Sequence, residues 1–266
     1  MRFLLKKNLV QYLLQKADQY NQPSFFYNDP VIIPRLCYDA KDVEIMAFFM
    51  ALMAWGKREL IVRAGKKLLA IFENAPYDFI MHASAHELKR CEKFVYRTLN
   101  GQDIIELVLM LRTLYQEDKL GLAKAFNPTL KPDDSAHAYV YIDHFLSIVD
   151  TLLVKSHTRK HFPLNNKTSP AKRLNLFLRW MVRKDERGID LGLWYHYISQ
   201  SSLVIPLDVH VMRTLKLLGL TNLKHPSRNL ALQITSFAKE WVPSDPCLLD
   251  YAFFGLSYFE QKINRF

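Results

Sequence analysis

The segment SPAKRLNLFLRWMVR, residues 169–183, decides the fold because it has the pattern of an amphipathic helix. Ser169 suits the N-cap and Pro170 suits the first helical position, which would put Lys172 at the third. At roughly 100° per residue, the polar side chains fall on one stripe and the apolar ones on the opposite face. The polar stripe consists of Lys172, Asn175, Arg179 and Arg183. We predict a helix with one buried face and an exposed polar stripe.

The same periodicity extends over most of the 266 residues, half of which are hydrophobic. Alternating strand patterns are scarce, and helix-start signals recur at Asp39 or Asp42, Asp208, Ser227 and 244–246. The fold class is therefore predicted to be all-α, with about ten helices joined by short connections. The eight glycines form neither a dinucleotide-binding fingerprint nor a phosphate-binding loop, so both are excluded.

The cysteines and the hydropathy of the chain exclude further classes of protein. Cys37, Cys91 and Cys247 lie far apart, which excludes a disulfide framework, a zinc ribbon and a four-cysteine iron–sulfur site. Unpaired cysteines fit a reducing cytoplasm. The longest apolar run, Ile45–Trp55, is too short to cross a bilayer, so no membrane association is expected. No metal site is predicted either, because these carboxylates and histidines lack a ligand-like spacing: Asp29, Asp39, Glu44, Asp103, His157, His161 and His196.

Charge points to a polyanionic partner. The chain has 36 Lys and Arg against 26 Asp and Glu, a net charge of +10. Between Thr151 and Lys184 there are nine basic residues and no acidic one, which is typical of a phosphate-backbone contact site. The alternative interpretation of this run is a solvated basic surface. DNA is the predicted partner and RNA stays open, while no obligate protein partner is evident.

Lys172 and Asp208 are the candidate reactive groups. A lysine in a first helical turn, beside Arg173 and Arg179, has its pKa lowered by the helix dipole and by like charges, as an amine nucleophile requires. Binding a phosphate as a cation is the alternative role of Lys172. Asp208 follows an apolar approach with a proline in VIPLDVHVMR, residues 204–213. It suits an N-cap, and a carboxylate held by helix amides could also stabilise a cationic sugar transition state.

The segment IPLDVHV, residues 205–211, resembles the V-D-x-H-V motif of the helix-hairpin-helix DNA glycosylases, the endonuclease III and 8-oxoguanine glycosylase superfamily. The chain also resembles a bacterial domain-of-unknown-function family distantly related to them. Lys172 and Asp208 are 36 residues apart (208 − 172), a spacing similar to that of archaeal 8-oxoguanine glycosylases, which also carry a basic residue where Arg179 stands. The hairpin of these enzymes has two glycines, whereas residues 166–172 have none, so the hairpin is degenerate.

The resemblance implies a two-lobed glycosylase-like fold, with one helical domain over residues 42–194 and a second from residues 1–41 plus 195–266. It implies that Lys172 and Asp208 are catalytic and face each other across a cleft. The residues expected to contact DNA or the base are Arg179, Arg183, Asn175, Arg173, Lys167, His210, Arg213 and Trp55. A structural role is the alternative for His210, and a core or interface aromatic is the alternative for Trp55. The implied function is a DNA N-glycosylase, with or without lyase activity, that removes an oxidised purine such as 8-oxoguanine and needs no cofactor. The alternatives are a non-catalytic nucleic-acid-binding module and a helical protein-interaction scaffold.

Overall fold

The computed structural model describes the backbone of residues 2–260 and the side chains of residues 6–260, and this part of the chain is predominantly helical. The all-α prediction is confirmed. The described residues contain one antiparallel hairpin, whose strands β1 (Val95–Tyr96) and β2 (Leu99–Asn100) have two residues each. The α-helices are α1 (Arg2–Tyr20), α2 (Ala40–Leu52), α3 (Arg58–Ile71), α4 (Pro76–His82), α5 (Ala85–Leu88), α6 (Gly101–Glu117), α7 (Gly121–Phe126), α8 (Ala138–Leu152), α9 (Ser156–Arg159), α10 (Lys172–Val182), α11 (Val209–Leu217), α12 (Arg228–Lys239) and α13 (Leu248–Tyr258).

Helix α2 is the centre of the fold and explains the apolar run in the sequence. Asp39 caps it, accepting a hydrogen bond from the Lys41 amide at 2.8 Å, and every residue from Glu44 to Leu52 is buried. It packs against α3, α4 and α10, so it has no solvent-facing side over its last two turns. Among the described residues, no helix combines the length and hydropathy needed to span a membrane.

The N-terminal helix packs beside the C-terminal end of the chain. Helix α1 lies against α13, which also contacts α11. Buried hydrophobic side chains from the two proposed domains, such as Leu13, Phe48 and Leu256, belong to one continuous cluster. The division at residues 42 and 194 stays a prediction, and residues 1 and 261–266 of the second domain lie outside the described residues.

Helix α10 begins later than the sequence predicts. Its N-cap is Ala171 in the left-handed conformation (φ 42°, ψ 43°), so Lys172 is the first helical residue and the expected cap at Ser169 is wrong. The Ser169 hydroxyl accepts a hydrogen bond from the Ala171 amide at 3.2 Å instead, which makes a local turn. A non-glycine residue with this backbone is uncommon and costs of order 1 kcal/mol, and such residues concentrate at functional sites.

Candidate active site

Asp208 begins α11 as the sequence predicts. Its Oδ1 accepts hydrogen bonds from the backbone amides of His210 and Val211, both at 2.8 Å. These two amides are among those that a helix start leaves without partners, and the positive end of the helix dipole favours the carboxylate. Oδ2 makes neither cap bond, so this oxygen is available to a group in front of the helix.

Lys172 lies in front of that oxygen. Its Nζ is 3.9 Å from Asp208 Oδ2, and it donates a hydrogen bond to the Ala54 carbonyl at 2.8 Å. The side chain of Lys172 is 28% exposed and that of Asp208 is 15% exposed, so the pair lies in a recess that solvent still reaches. Burial lowers the pKa of Lys172, the Asp208 carboxylate opposes this shift, and Arg173 adds to it. The pair therefore combines an amine with a lowered pKa and an oriented anion.

The pair opens into a cleft of about 1170 Å³. Its walls come from the segment after α2, the start of α3, one face of α10, the start of α11 and α13. This volume lies slightly above the ~300–1,000 Å³ usual for small-molecule sites, so the cleft has room for a nucleotide-sized group. Two helix beginnings distant in the chain thus meet in one concave surface.

One wall of the cleft contains an ion pair and aromatic rings that were not among the predicted contact residues. Arg58 pairs with Asp29 at 2.9 Å, and its guanidinium lies over the rings of Phe254 and Tyr258 at 4.7 and 4.4 Å. Asp29 and Arg58 are 29 residues apart (58 − 29), and α13 is distant from both in the chain. Only the fold brings these elements together, and no local pattern in the sequence indicates the contact.

The predicted exposed stripe on α10 is wrong beyond Lys172. Arg183 is 1% exposed and pairs with three carboxylates, those of Asp185, Asp190 and Asp245. Arg179 is also buried, although it reaches the cleft wall, and it pairs with Asp190 and Asp250. Asp245 and Asp250 are buried and belong to the C-terminal part of the chain, so the two arginines link α10 to that part instead of facing solvent.

Asn175 is likewise buried. Its Nδ2 donates to the Pro170 carbonyl at 2.8 Å, and the Tyr139 hydroxyl donates to the same carbonyl at 3.0 Å. Asn175 therefore holds the turn before Lys172, and it does not lie on a DNA-accessible surface. The predicted exposure of Asn175 is wrong because its side chain donates back to the turn before the helix instead of facing solvent.

The basic run from Thr151 to Lys184 is mostly occupied by contacts within the protein. Arg173 donates to the carbonyls of Leu52 and His161 at 3.1 and 2.6 Å. Lys167 is exposed on the loop before α10 and stays a predicted DNA contact. Others of the run have intramolecular partners: Lys155 with Gln102, Arg159 with Asp150, and Lys184 over the Tyr195 ring. The run is therefore not a continuous phosphate-binding surface.

The remaining predicted residues border the cleft. His210 is half-buried and packs edge-on against the stacked rings of Phe254 and Tyr258, at centroid distances of 5.2 and 5.3 Å, and burial lowers its pKa. Arg213 is exposed one turn further along α11. Trp55 is half-buried and carries the Arg97 guanidinium 4.2 Å from its ring. These three residues are placed where a ligand in the cleft could reach them.

Exposed cations that sequence reasoning missed lie on the rim of the same cleft. They are Lys57 before α3, Lys216 on α11, and Lys224 in the loop after α11. Lys216 Nζ donates to the Lys224 carbonyl at 3.2 Å, which brings the two lysines onto one surface. In the sequence these lysines are spread over distant segments, so no run of basic residues indicates that they share one surface.

Two polar atoms in cleft-lining residues have no hydrogen-bond partner among the described residues. They are Trp180 Nε1, a donor, and Asp250 Oδ1, a carboxylate oxygen. Burial raises the pKa of Asp250 to about 6, while Arg179 acts in the opposite direction. Buried polar groups are nearly always paired in folded proteins, so the hydrogen bonding of this part of the cleft wall is incomplete.

Comparison with known proteins identifies the family. A family model described as "Protein of unknown function (DUF2400)" matches residues 29–259, so the chain belongs to that family. Comparisons with curated proteins and with solved structures gave no significant match.

Proposed function

We propose that this DUF2400 protein is a DNA N-glycosylase whose nucleophile is Lys172, acting on an oxidised purine such as 8-oxoguanine in base-excision repair. One observation carries the proposal: Lys172 Nζ lies 3.9 Å from Asp208 Oδ2, where α10 and α11 both begin in the wall of a single large cleft. This is the juxtaposition expected from the resemblance to helix-hairpin-helix glycosylases. The overall glycosylase-like arrangement and the two lobes are part of the proposal.

The proposed reaction follows from the chemistry of the pair. Neutral Lys172 attacks C1′ of the sugar, the bond between C1′ and the base nitrogen breaks, and the base leaves with that bonding electron pair and takes up a proton. Asp208 stabilises the positive charge that develops on the sugar and accepts the proton that the lysine nitrogen loses. Opening of the sugar ring then gives a Schiff base, from which β-elimination at C3′ would nick the strand.

The cleft offers features that a flipped nucleotide requires. A base taken out of the stack needs aromatic or apolar faces to stack on, and Trp55, Phe254 and Tyr258 line the cleft. The unpaired atoms Trp180 Nε1 and Asp250 Oδ1 lie beneath the cleft surface, and a base that presents one acceptor and one donor would satisfy them if the side chains above them move aside. A pyrimidine or an undamaged purine can also offer such edges, so these atoms support base binding in general.

The rim cations support contact with the DNA backbone. Lys57, Arg213, Lys216 and Lys224 are exposed and border the cleft from two sides. Phosphate contacts position the duplex without reading its sequence. In this proposal the loop after α11 takes part in anchoring the backbone, whereas the degenerate hairpin contributes Lys167.

A second candidate function is supported by the contacts of Lys172 itself. Its Nζ donates to the Ala54 carbonyl at 2.8 Å, a contact that the cationic form makes as well as the neutral one, and residues 166–172 lack the hairpin glycines. A non-catalytic nucleic-acid-binding module, with Lys172 as a phosphate ligand, would have these features.

Borohydride trapping separates the two functions. The protein is mixed with duplexes carrying oxidised, alkylated or deaminated bases, and the reductant converts a Schiff base into a stable covalent adduct. We expect an adduct on an oxidised-purine duplex that is lost in Lys172→Ala and kept in Lys119→Ala, the matched control for an exposed lysine outside the cleft. No adduct and no base release on any duplex, together with salt-dependent binding, would support the non-catalytic module.

A further inference from the structure

A cluster of two histidines and one aspartate lies away from the cleft. It consists of Asp103 in the first turn of α6, His157 in α9 and His161 just after α9. His157 Nδ1 is 2.7 Å from Asp103 Oδ1, and His161 Nε2 is 3.3 Å from Asp103 Oδ2. One potential ligand atom from each of the three side chains lies within 4.8 Å of the other two. The three donors therefore converge on a single point.

The local fold holds this arrangement in place. His157 lies in α9 and His161 in the turn that follows it, where the His161 amide donates to the Thr158 carbonyl at 3.1 Å, so both imidazoles reach the Asp103 carboxylate. The Asp103 carboxylate is fixed by the Asn100 amide at 2.8 Å and by the Thr158 hydroxyl at 3.0 Å. Hydrogen bonds that orient the ligands are a regular feature of protein metal sites.

We propose that Asp103, His157 and His161 bind a divalent transition metal ion, with Zn²⁺ as the best-suited candidate. Two imidazoles and one carboxylate are a ligand set that Zn²⁺ commonly takes. Around a tetrahedral ion with bonds of about 2.0–2.1 Å, ligand atoms lie about 3.3 Å apart. His161 Nε2 lies at this distance, 3.3 Å, from Asp103 Oδ2, whereas His157 Nδ1 lies closer, 2.7 Å from Asp103 Oδ1, so the His157 side chain has to move back slightly to admit the ion. The His157 side chain is half-exposed, which leaves access for a water as fourth ligand.

The position of the site gives the ion a structural role. The His161 carbonyl accepts a hydrogen bond from Arg173 Nη2 at 2.6 Å, and Arg173 directly follows Lys172. The ion would therefore fasten α9 and the following turn to α6, and this turn contacts the helix that carries Lys172. The three ligands are not among the residues that line the cleft, so the ion positions the fold and does not contact a substrate.

Zinc titration tests the proposal on the full-length protein after treatment with a chelator. We expect one equivalent of Zn²⁺ to bind in competition with a chromophoric chelator, and binding to weaken at least tenfold in His157→Ala and in His161→Ala. The matched control is His82→Ala, which removes an exposed histidine four residues from Asp78, at 3.8 Å, without a third ligand. Its affinity for zinc should equal that of the unmodified protein.

Two readouts on the unmodified protein keep the proposal testable should a variant fail to fold. Zn²⁺ should shift the NMR resonances of two of the nine histidine side chains, and Co²⁺ should give the intense visible absorption of a tetrahedral site. No stoichiometric binding, or binding that both substitutions leave unchanged, would overturn the proposal. Neither readout depends on base release, so the metal site and the glycosylase activity can fail separately.

Discussion

Replacing Asp208 by asparagine separates two roles that this side chain combines. Its Oδ1 caps α11 through two amides at 2.8 Å, whereas its Oδ2 lies 3.9 Å from Lys172 Nζ. Asparagine has an oxygen that can accept the same cap bonds, but it carries no charge. We therefore expect Asp208→Asn to keep the fold and to lose most of the base-release activity.

The two effects differ in size. Asparagine and aspartate are about equally good N-caps, whereas alanine at this position costs about 1 kcal/mol. A carboxylate about 4 Å from the positive charge that develops on the sugar would contribute about 4 kcal/mol at an effective dielectric constant of about 20. At about 1.4 kcal/mol per tenfold change in rate, this corresponds to roughly 10³-fold. Since the asparagine dipole recovers part of this stabilisation, the expected loss for Asp208→Asn is roughly 10²–10³-fold.

Two measurements check this expectation. Single-turnover base release from a lesion-containing duplex gives the rate, and urea unfolding of Asp208→Asn and Asp208→Ala gives the free energy of unfolding. A rate for Asp208→Asn close to that of the unmodified protein would show that the carboxylate is only a helix cap. Equal destabilisation by asparagine and alanine would show that the two amide contacts are not what stabilises α11.

Three further predictions follow from buried and exposed charges. Arg183→Met leaves buried carboxylates without their cation and should lower the free energy of unfolding by about 3–5 kcal/mol in urea. Lys216→Ala and Lys224→Ala should each reduce the slope of log Kd for DNA against log salt by about 1, whereas Lys119→Ala, an exposed lysine outside the cleft, should leave it unchanged. Burial raises the pKa of Glu44 from 4.5 to about 7, so the folded protein retains a proton that the unfolded chain releases. The stability that this proton provides is fully present below pH ~4.5 and is lost as pH rises through about 7, so between these values the unfolding free energy should fall by about 3 kcal/mol relative to Glu44→Gln.

The helices were predictable where the signal is local. The cap at Asp208 depends on a side chain and amides two and three residues later, and the buried α2 depends on a continuous apolar run. The start of α10 was misplaced at Ser169, although Pro170 suits a first helical position. Donors from Tyr139 and Asn175 hold the Pro170 carbonyl in a turn, and Tyr139 lies 31 residues earlier in the chain.

The candidate site was predictable in part, and mainly through the resemblance. The sequence singled out Lys172 and Asp208, and the structure places them 3.9 Å apart. It did not indicate the rim lysines or the ion pair of Arg58 with Asp29, because their elements meet only in the folded chain. The sequence also did not indicate the proposed metal site, because Asp103 is 54 residues from His157 and the two meet only in the folded chain.

The sequence by itself determined the helical class, the central apolar helix and the acid that begins α11, because each depends on hydrogen bonds and periodicity within a few residues. The tertiary structure alone decided which cations are free to meet a ligand. The helical pattern does not distinguish Arg183 from Lys216, yet Arg183 is buried and pairs with Asp245 of a later segment, whereas Lys216 is exposed. Burying a charge is costly unless an opposite charge accompanies it, and the partner is supplied by chain packing and not by local sequence.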